Sequence, residues 1–202
     1  MKNKFAVTIG RQYGSGGHDI GKELAQQMGV SFYDRKLITE SAKRSGLSDE
    51  IFEQREERMP GTLRYALTFG ATFSPGFGAE TLFKIQSETI QEIASRESCV
   101  IVGRSADYVL RDDPMCFNVF VHSPLEVRIG LVASRLGISR KEAADKIADI
   151  DKMRAAYYDF YTDKKWGDSM SYHISIDSSL LGIDGTVKYL RSLIEEAVKA
   201  RK

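Results

Sequence analysis

The chain contains the stretch Ile9-Gly10-Arg11-Gln12-Tyr13-Gly14-Ser15-Gly16-Gly17-His18-Asp19-Ile20-Gly21-Lys22. It follows the apolar run Phe5–Ile9, and it precedes a helical pattern that places Ile20, Leu24 and Met28 on one face. A strand, a glycine-rich turn and a helix in this order are typical of a phosphate-binding loop. Glycines let successive backbone N–H groups converge, and the helix N-terminus adds about half a positive charge. The stretch therefore predicts a polyphosphate site.

The candidate ligands of the phosphates are the residues of the turn and of the first helical positions: Gly14, Ser15, Gly16, Gly17, His18 and Asp19. The usual phosphate-loop pattern has Lys and then Ser or Thr after its last glycine. Here Gly17 and His18 follow Gly16. The loop is therefore expected to bind phosphate without the usual lysine.

Another cation has to neutralise the phosphate charge. Arg11 and Lys22 are the local candidates, and Arg11 is favoured because it lies in the loop rather than one turn into the helix. The hydroxyl residue that normally contacts Mg²⁺ is also missing. Ser15 and Asp19 are the alternatives for that contact, and the metal ligands stay undetermined.

The composition is that of an ordinary globular domain. The 202 residues are 42% hydrophobic and 28% charged, with a net charge of +1, so bulk electrostatics indicate neither a nucleic-acid surface nor a membrane-binding face. No apolar run approaches the roughly 18 residues that span a bilayer, and no signal-like segment appears, so the expected compartment is the cytoplasm. Cys99 and Cys116 lie in apolar runs and are expected to be buried side chains rather than a disulfide or a metal site.

Strand-like and helical patterns alternate along the chain. The predicted strands are Phe5–Ile9, Val30–Tyr33, Cys99–Val102, Cys116–Val121 and Tyr172–Ile176. The first predicted helix follows the glycine-rich turn and ends at Gly29, and three more occupy 81–96, 140–158 and 184–199. Ser139 and Glu142 form a predicted capping box at the start of the helix 140–158. This alternation favours a parallel sheet with helices on both faces.

Two regions interrupt the alternation. The first, 35–80, contains a charged helix-like stretch at 47–59 and a glycine- and aromatic-rich stretch at 69–78. The second, 138–168, is polar and rich in Arg, Lys, Asp and Tyr. Long excursions of this kind within a small domain tend to be functional.

Three further motifs supply candidate binding residues. Arg104 follows the apolar run Val100–Val102 and Gly103, where a parallel sheet places ligands, although a surface pair with Asp107 or Asp112 is the alternative. Asp34 and Arg35 follow the second predicted strand and are either ligand groups or part of a capped turn.

The last motif is Asp151-Lys152-Met153-Arg154. Spacing of three places Asp151 and Arg154 on one helical face, where they are either a solvent-exposed pair or ligand groups. Upstream, Arg128, Arg135 and Arg140 form a cationic segment suited to closing over phosphates.

Together these segments resemble the nucleoside monophosphate kinases, and most closely the divergent cytidylate kinase-like proteins. The resemblance covers most of the chain and rests on Gly10–Gly17, Phe32–Ile38, Val102–Arg104, Asp151–Arg154 and Ile176–Leu180. It implies a single α/β domain over 1–202 with the three-layer P-loop NTPase and nucleoside monophosphate kinase fold. Residues 35–80 would replace the helical monophosphate-binding insertion, and 128–168 would form the lid.

The resemblance implies ATP-dependent phosphoryl transfer, with Mg²⁺, to a nucleoside monophosphate such as CMP or dCMP. Arg11, Arg128 and Arg135 would offset the charge of the transferring group. The acceptor would be bound by Asp34, Arg35, Arg104, Asp151 and Arg154, with Asp151 and Arg154 contacting cytosine and phosphate.

The chain departs from this pattern at Gly17, where the family has lysine, at Ser105, where it has aspartate, and at Arg35, where a small hydroxyl residue is usual. Two other functions therefore stay open. One is a kinase for another small acceptor, and the other is a nucleotide-binding regulator without turnover. No nucleic-acid or membrane partner is expected, and the oligomeric state is not indicated.

Overall fold

A computed structural model describes residues 4–36, 38–39 and 79–201 of the chain. Five strands form one sheet: β1 Ala6–Arg11, β2 Ser31–Tyr33, β3 Cys99–Val102, β4 Cys116–His122 and β5 Ile174–Asp177. Their order is β2-β3-β1-β4-β5, and every neighbouring pair is parallel. The loop that follows β1, predicted to bind phosphate, therefore lies at the carboxyl edge of the sheet, where ligands of such sheets bind.

Helices connect the strands and cover both faces of the sheet. The helices with defined bounds are α1 Gly17–Met28, α2 Ala79–Arg96, α3 Ala106–Val109, α4 Leu125–Leu136, α5 Arg140–Tyr161 and α6 Gly182–Ala200. Residues 35–36 and 38–39 are also helical. A 3₁₀ turn, Ser169–Ser171, precedes β5. The predicted three-layer parallel α/β fold is therefore confirmed.

The core divides along the two faces of the sheet. Alternate residues of β1, such as Val7 and Ile9, pack with Ile20 of α1 and Leu190 of α6. On the other face, Ala6 belongs to a second core cluster formed mainly by α2, α3 and β3. Parallel strands buried on both faces are apolar throughout, as β3 is. The helices α4 and α5 form a smaller cluster of their own.

The sequence patterns located the strands closely. β3 has the predicted bounds, and the ends of the other four differ from the prediction by one or two residues. The capping box is confirmed, because Glu142 N donates to Ser139 Oγ at 3.2 Å and Ser139 N donates to Glu142 Oε2 at 2.9 Å. The helix that it opens extends to Tyr161, three residues past the predicted end.

The two cysteines have the structural role that was predicted. Cys99 and Cys116 are free and buried, and burial raises the pKa of each thiol to about 12. No helix of the described residues has the length and apolar character needed to cross a bilayer. Most of the predicted insertion, including the stretches 47–59 and 69–78, lies outside the described residues.

The contact between α1 and the sheet leads to a prediction about Gly21. A Cβ at this position would lie 2.7 Å from Val102 Cγ2 and 3.0 Å from Ile9 Cδ1, both in the core. We expect Gly21→Ala to lower the free energy of unfolding by about 1–3 kcal/mol through overpacking. The helical Gly130 is the matched control, since its Cβ would meet only Arg140 Nη1 at 3.9 Å. Gly130→Ala should raise the free energy by about 0.5–1 kcal/mol. Urea unfolding measures both, and equal effects would contradict the packing argument.

Candidate active site

The phosphate-binding loop connects the end of β1 to the start of α1. Gly14 and Gly16 have φ angles of 80° and 75°, a region that favours glycine. Gly17 is required for a different reason: its Cβ would lie 2.5 Å from Arg11 Cβ. The lysine of the usual pattern therefore has no room at position 17 while the Arg11 side chain runs past it. The N–H groups of the first turn of α1 lack intrahelical acceptors and are available to an anion.

Ser15 holds the loop in place from within. Its buried hydroxyl lies 2.9 Å from the carbonyl oxygen of Gln12 and 3.1 Å from that of Val121. The Ser15 carbonyl in turn accepts a hydrogen bond of 2.7 Å from Ser178 Oγ. The Ser15 side chain is therefore directed towards the protein interior, which makes it a poor candidate for the Mg²⁺ contact.

Asp151 and Arg128 form a buried brace under the loop. Asp151 Oδ1 accepts a hydrogen bond of 2.7 Å from Tyr13 N, and Asp151 Oδ2 lies 2.6 Å from Arg128 Nη1. Arg128 also donates to the carbonyl oxygens of Tyr13, at 3.2 Å, and Ser123, at 3.0 Å. The solvent-exposed reading of Asp151 and Arg154 is wrong: both are largely buried, and their closest N–O distance is 4.0 Å, much longer than the Arg128 contact.

Four arginines line a cavity of about 270 Å³ beside the loop: Arg11, Arg35, Arg104 and Arg154. The sequence predicted each of them as a functional residue, and the structure brings them together. Asp151, Arg128 and Arg135 are not among the residues that line the cavity.

The environment of this arginine cluster is strongly cationic. Burial, with Arg154 and Arg104 nearby, lowers the pKa of Arg11 to about 9. Burial and Arg104 lower the pKa of Arg35 to about 10. The Nε atoms of Arg11 and Arg104 are buried and have no hydrogen-bond partner among the described residues. Because desolvated like charges repel, a bound anion would be stabilised here.

Backbone geometry directs Arg104 towards this cluster. Gly103, Arg104 and Ser105 have φ angles of 83°, 60° and 50°. Left-handed backbone in residues other than glycine costs free energy and is frequent at binding sites. The guanidinium of Arg104 lies 5.8 Å from the ring centre of Tyr157, so Arg104 is not the surface arginine paired with Asp107 or Asp112 that the sequence left open.

The other predicted polar residues lie at the first turn of α1. His18 Nε2 is 3.2 Å from Asp34 Oδ2, and His18 Nδ1 is 3.4 Å from Asp19 Oδ1. Arg135, at the end of α4, has 75% of its side chain exposed and lies 3.6 Å from Asp19 Oδ2. These residues form a mixed-charge group next to the loop. They do not line the cavity, although the Asp34 carboxylate acts electrostatically on Arg11 and Arg35.

Sequence reasoning missed the cavity's remaining polar and aromatic residues. Those not proposed as ligands from the sequence include Asp107, Tyr157, Tyr158, Trp166 and Tyr172. A signal for two of them was present, because Tyr157 and Tyr158 follow Arg154 by three and four positions and share its helical face. Asp107 is buried and accepts a hydrogen bond of 2.6 Å from Tyr158 Oη.

Arg11 is expected to destabilise the folded protein when no ligand is bound. We expect Arg11→Met to raise the free energy of unfolding at pH 7 by about 1–4 kcal/mol, because methionine keeps the packing and removes a desolvated cation. The folded-state pKa of about 9 lies below the unfolded value. The advantage of the variant is therefore constant below pH 9 and shrinks above it, as native Arg11 releases its proton. Urea unfolding at pH 7 and pH 10 measures both effects, and the exposed Arg191→Met, whose arginine pairs with Glu195 on α6, is the control.

Asp151 is expected to contribute stability through the brace. Asp151→Asn leaves buried Arg128 without its carboxylate, so we expect a loss of about 2–4 kcal/mol. Asp149→Asn changes an exposed residue of the same helix and should stay within about 0.5 kcal/mol of the wild type. Chemical unfolding compares the two variants, and an Asp151→Asn protein as stable as the control would refute the brace.

Comparisons with known proteins show which proteins this chain resembles. The curated cytidylate kinase of Pyrococcus horikoshii is 26% identical over 196 residues, covering 96% of this chain and 90% of that protein. An uncharacterized protein from Eubacterium ventriosum has a similar crystal structure, with a TM-score of 0.74, 27% identity and coverage of 95% and 99% of the two chains. Shikimate kinase from Bacteroides thetaiotaomicron shares the fold at 18% identity and a TM-score of 0.53, with coverage of 95% and 98%. The sequence profile of the cytidylate kinase-like family matches residues 6–180, and the chain belongs to that family.

Proposed function

We propose that this protein transfers the γ-phosphoryl group of ATP to a nucleoside monophosphate, with CMP or dCMP as the acceptor. The observation that carries the proposal is the cluster of Arg11, Arg35, Arg104 and Arg154 around one small cavity beside the phosphate-binding loop. A single monophosphate brings two negative charges to a place where the protein has accumulated positive ones. The name of the curated archaeal relatives supports the same acceptor.

The donor binds at the loop. The backbone N–H groups of Gly14, Gly16 and Gly17 and the N-terminus of α1 hold the β-phosphate. In the reaction, an oxygen of the acceptor phosphate attacks the γ-phosphorus, and the bond to the β-phosphate oxygen breaks to release ADP. Catalysis of this kind consists of positioning and charge neutralisation.

Arg11 supplies the positive charge that the missing lysine would otherwise bring to the phosphates. Its side chain starts beside Gly17 and reaches Gly103, where a Cβ would lie 2.3 Å from Arg11 Nη1. It therefore extends from the loop to the strand end that carries Arg104. This position allows one cation to contact both the transferring group and the acceptor phosphate. Arg135 can approach the donor from α4, and Arg128 acts through the loop that it braces.

The described residues fit a divalent cation held largely by the phosphates. No group of three or more His, Cys, Asp or Glu side chains in the described ranges is arranged to hold a metal alone. Mg²⁺ in kinases commonly has one or two protein carboxylates, with phosphates and water as its other ligands. Asp19, at the first turn of α1, would hold it, with Asp34 nearby through His18. When bound, Mg²⁺ neutralises charge on the donor phosphates.

The helices α4 and α5 and the segment to Asp168 make up the proposed lid, 128–168. They contribute Arg154 to the cavity and the brace to the loop. Closure of this region over both nucleotides excludes water and limits ATP hydrolysis. The aromatic walls of the cavity favour a planar base over a sugar acid as the acceptor, which argues against a non-nucleotide substrate.

The test is a panel assay with labelled ATP, Mg²⁺ and CMP, dCMP, UMP, AMP, GMP, shikimate or gluconate. We expect transfer to CMP and dCMP. Transfer confined to the non-nucleotides would reject the proposed acceptor. ATP binding by calorimetry without ADP formation, whatever the acceptor, would instead favour a nucleotide-binding regulator.

Two variants test the separate roles of Arg154 and Arg11 in that assay. Arg154→Gln removes a cation from the cavity, so we expect the KM for CMP to rise at least tenfold while the KM for ATP changes by less than threefold. Arg11→Met should lower kcat at least 100-fold, as expected for loss of charge stabilisation in the transition state. Arg191→Gln, on the exposed face of α6, should match the wild type. Full activity in the Arg11→Met protein would refute its role as the substitute for lysine.

A further inference from the structure

The residues that line the arginine-rich cavity include a buried carboxylate. Asp107 is 5% exposed, lies in α3 and is one of the residues that line the cavity. Tyr158 of α5 donates a hydrogen bond of 2.6 Å from its hydroxyl to Asp107 Oδ2. Two elements on different sides of the cavity therefore hold this carboxylate in one orientation.

The charge of Asp107 has no direct counterion in the described part of the chain. No Lys, Arg or His nitrogen there lies within 4.0 Å of its carboxylate oxygens, and Lys164 acts only at longer range. Burial raises the pKa of Asp107, and the hydrogen bonds from Tyr158 and from the backbone of α3 lower it. A buried carboxylate is costly unless it is well hydrogen-bonded, so a donor on a ligand would stabilise it further.

The walls around Asp107 are aromatic. Tyr158 and Tyr172 have ring centres 6.5 Å apart with an interplanar angle of 29°. The ring centre of Phe120 lies 4.9 Å from that of Tyr172 and 5.4 Å from that of Trp166. The Tyr172 ring also approaches Gly10, where a Cβ would be 3.2 Å from it. Rigid aromatic surfaces with a fixed polar group at one end suit a planar ring that carries a hydrogen-bond donor.

The spacing along α5 sets the length of the ligand. Arg154 and Tyr158 are four residues apart, which is about 6 Å along a helix. The cavity thus offers the Arg154 guanidinium and, about one helical turn along α5, the tyrosine that holds the Asp107 carboxylate. Its volume of about 270 Å³ is at the low end for small-molecule sites, which favours a single-ring base over a larger one.

We propose that Asp107, oriented by Tyr158, is the specificity-determining residue of the acceptor site and accepts a hydrogen bond from the exocyclic amine of cytosine. This inference rests on the proposed function, because it requires the acceptor phosphate to lie at the arginines. A carbonyl oxygen at the same place, as in uracil, faces a carboxylate and is repelled. The site therefore prefers CMP to UMP through one hydrogen bond made and one repulsion avoided.

The first experiment varies the ligand and leaves the protein intact. Calorimetry on the wild type compares CMP, UMP and the CMP analogue that lacks the 4-amino group. We expect CMP to bind about 10- to 100-fold more tightly than either, as expected for a hydrogen bond to a charged group. Equal affinity for CMP and the analogue would overturn the inference, whether or not any variant folds.

The second experiment varies the residue. Asn at position 107 keeps the shape and offers an amide N–H₂, which donates to the uracil carbonyl. We expect Asp107→Asn to lower the ratio of CMP to UMP affinity at least tenfold and to abolish the preference for CMP over the analogue. Asp112→Asn, whose side chain is 90% exposed, is the matched control and should keep the wild-type ratio. An equal loss for all three ligands would assign Asp107 a purely structural role and overturn the proposal.

The two proposals fail in different ways. The preference for the amine is measured by binding, and the proposed function by transfer from ATP. A wild type that binds CMP selectively but transfers nothing would refute the kinase proposal and leave Asp107 as the base-recognising residue. A wild type that phosphorylates CMP, UMP and the analogue equally well, with equal affinities, would refute the role of Asp107 and leave the kinase proposal intact.

Discussion

Repulsion among partly buried arginines is the constraint on which the architecture of this site depends. Arg11, Arg35, Arg104 and Arg154 line one cavity, and they stay there because backbone features hold them. Arg154 Nη1 donates to the Arg11 carbonyl at 2.9 Å, and left-handed backbone directs Arg104. Under the proposed function, a bound anion would offset this cost.

The fold was largely predictable because its signals are local. Strands buried on both faces are continuous apolar runs, so β3 was located to the residue and the other strands to within one or two. The capping box marked the start of α5 from two residues alone. Strand ends were less exact because pairing with a neighbour decides them: β1 continues to Arg11 since Arg11 pairs with Val121 of β4. α4 was not predicted as an element, although two of its arginines were singled out.

The site was predictable in part, for a related reason. Position after a strand identified Arg104 and Arg35, since all strand ends of a parallel sheet meet at one edge. Side-chain direction was not predictable. Asp151 faces the loop because it binds Tyr13 and Arg128. These partners lie 138 and 23 residues away in sequence, so no local pattern indicates the contact. Asp107 was considered only as a surface partner of Arg104, because its contact with Tyr158 depends on the packing of α3 near α5.

The long helix α5 has a consequence for how the two ligands influence each other. Through Asp151 it holds the loop assigned to the donor, and through Arg154 and Tyr158 it lines the cavity assigned to the acceptor. A rigid rod that contacts both cannot shift at one end without shifting at the other. Where a ligand at one place shifts α5, thermodynamic linkage requires the ligand at the other place to shift it by the same free energy. The helix is thus the element through which the proposed donor and acceptor sites would influence each other.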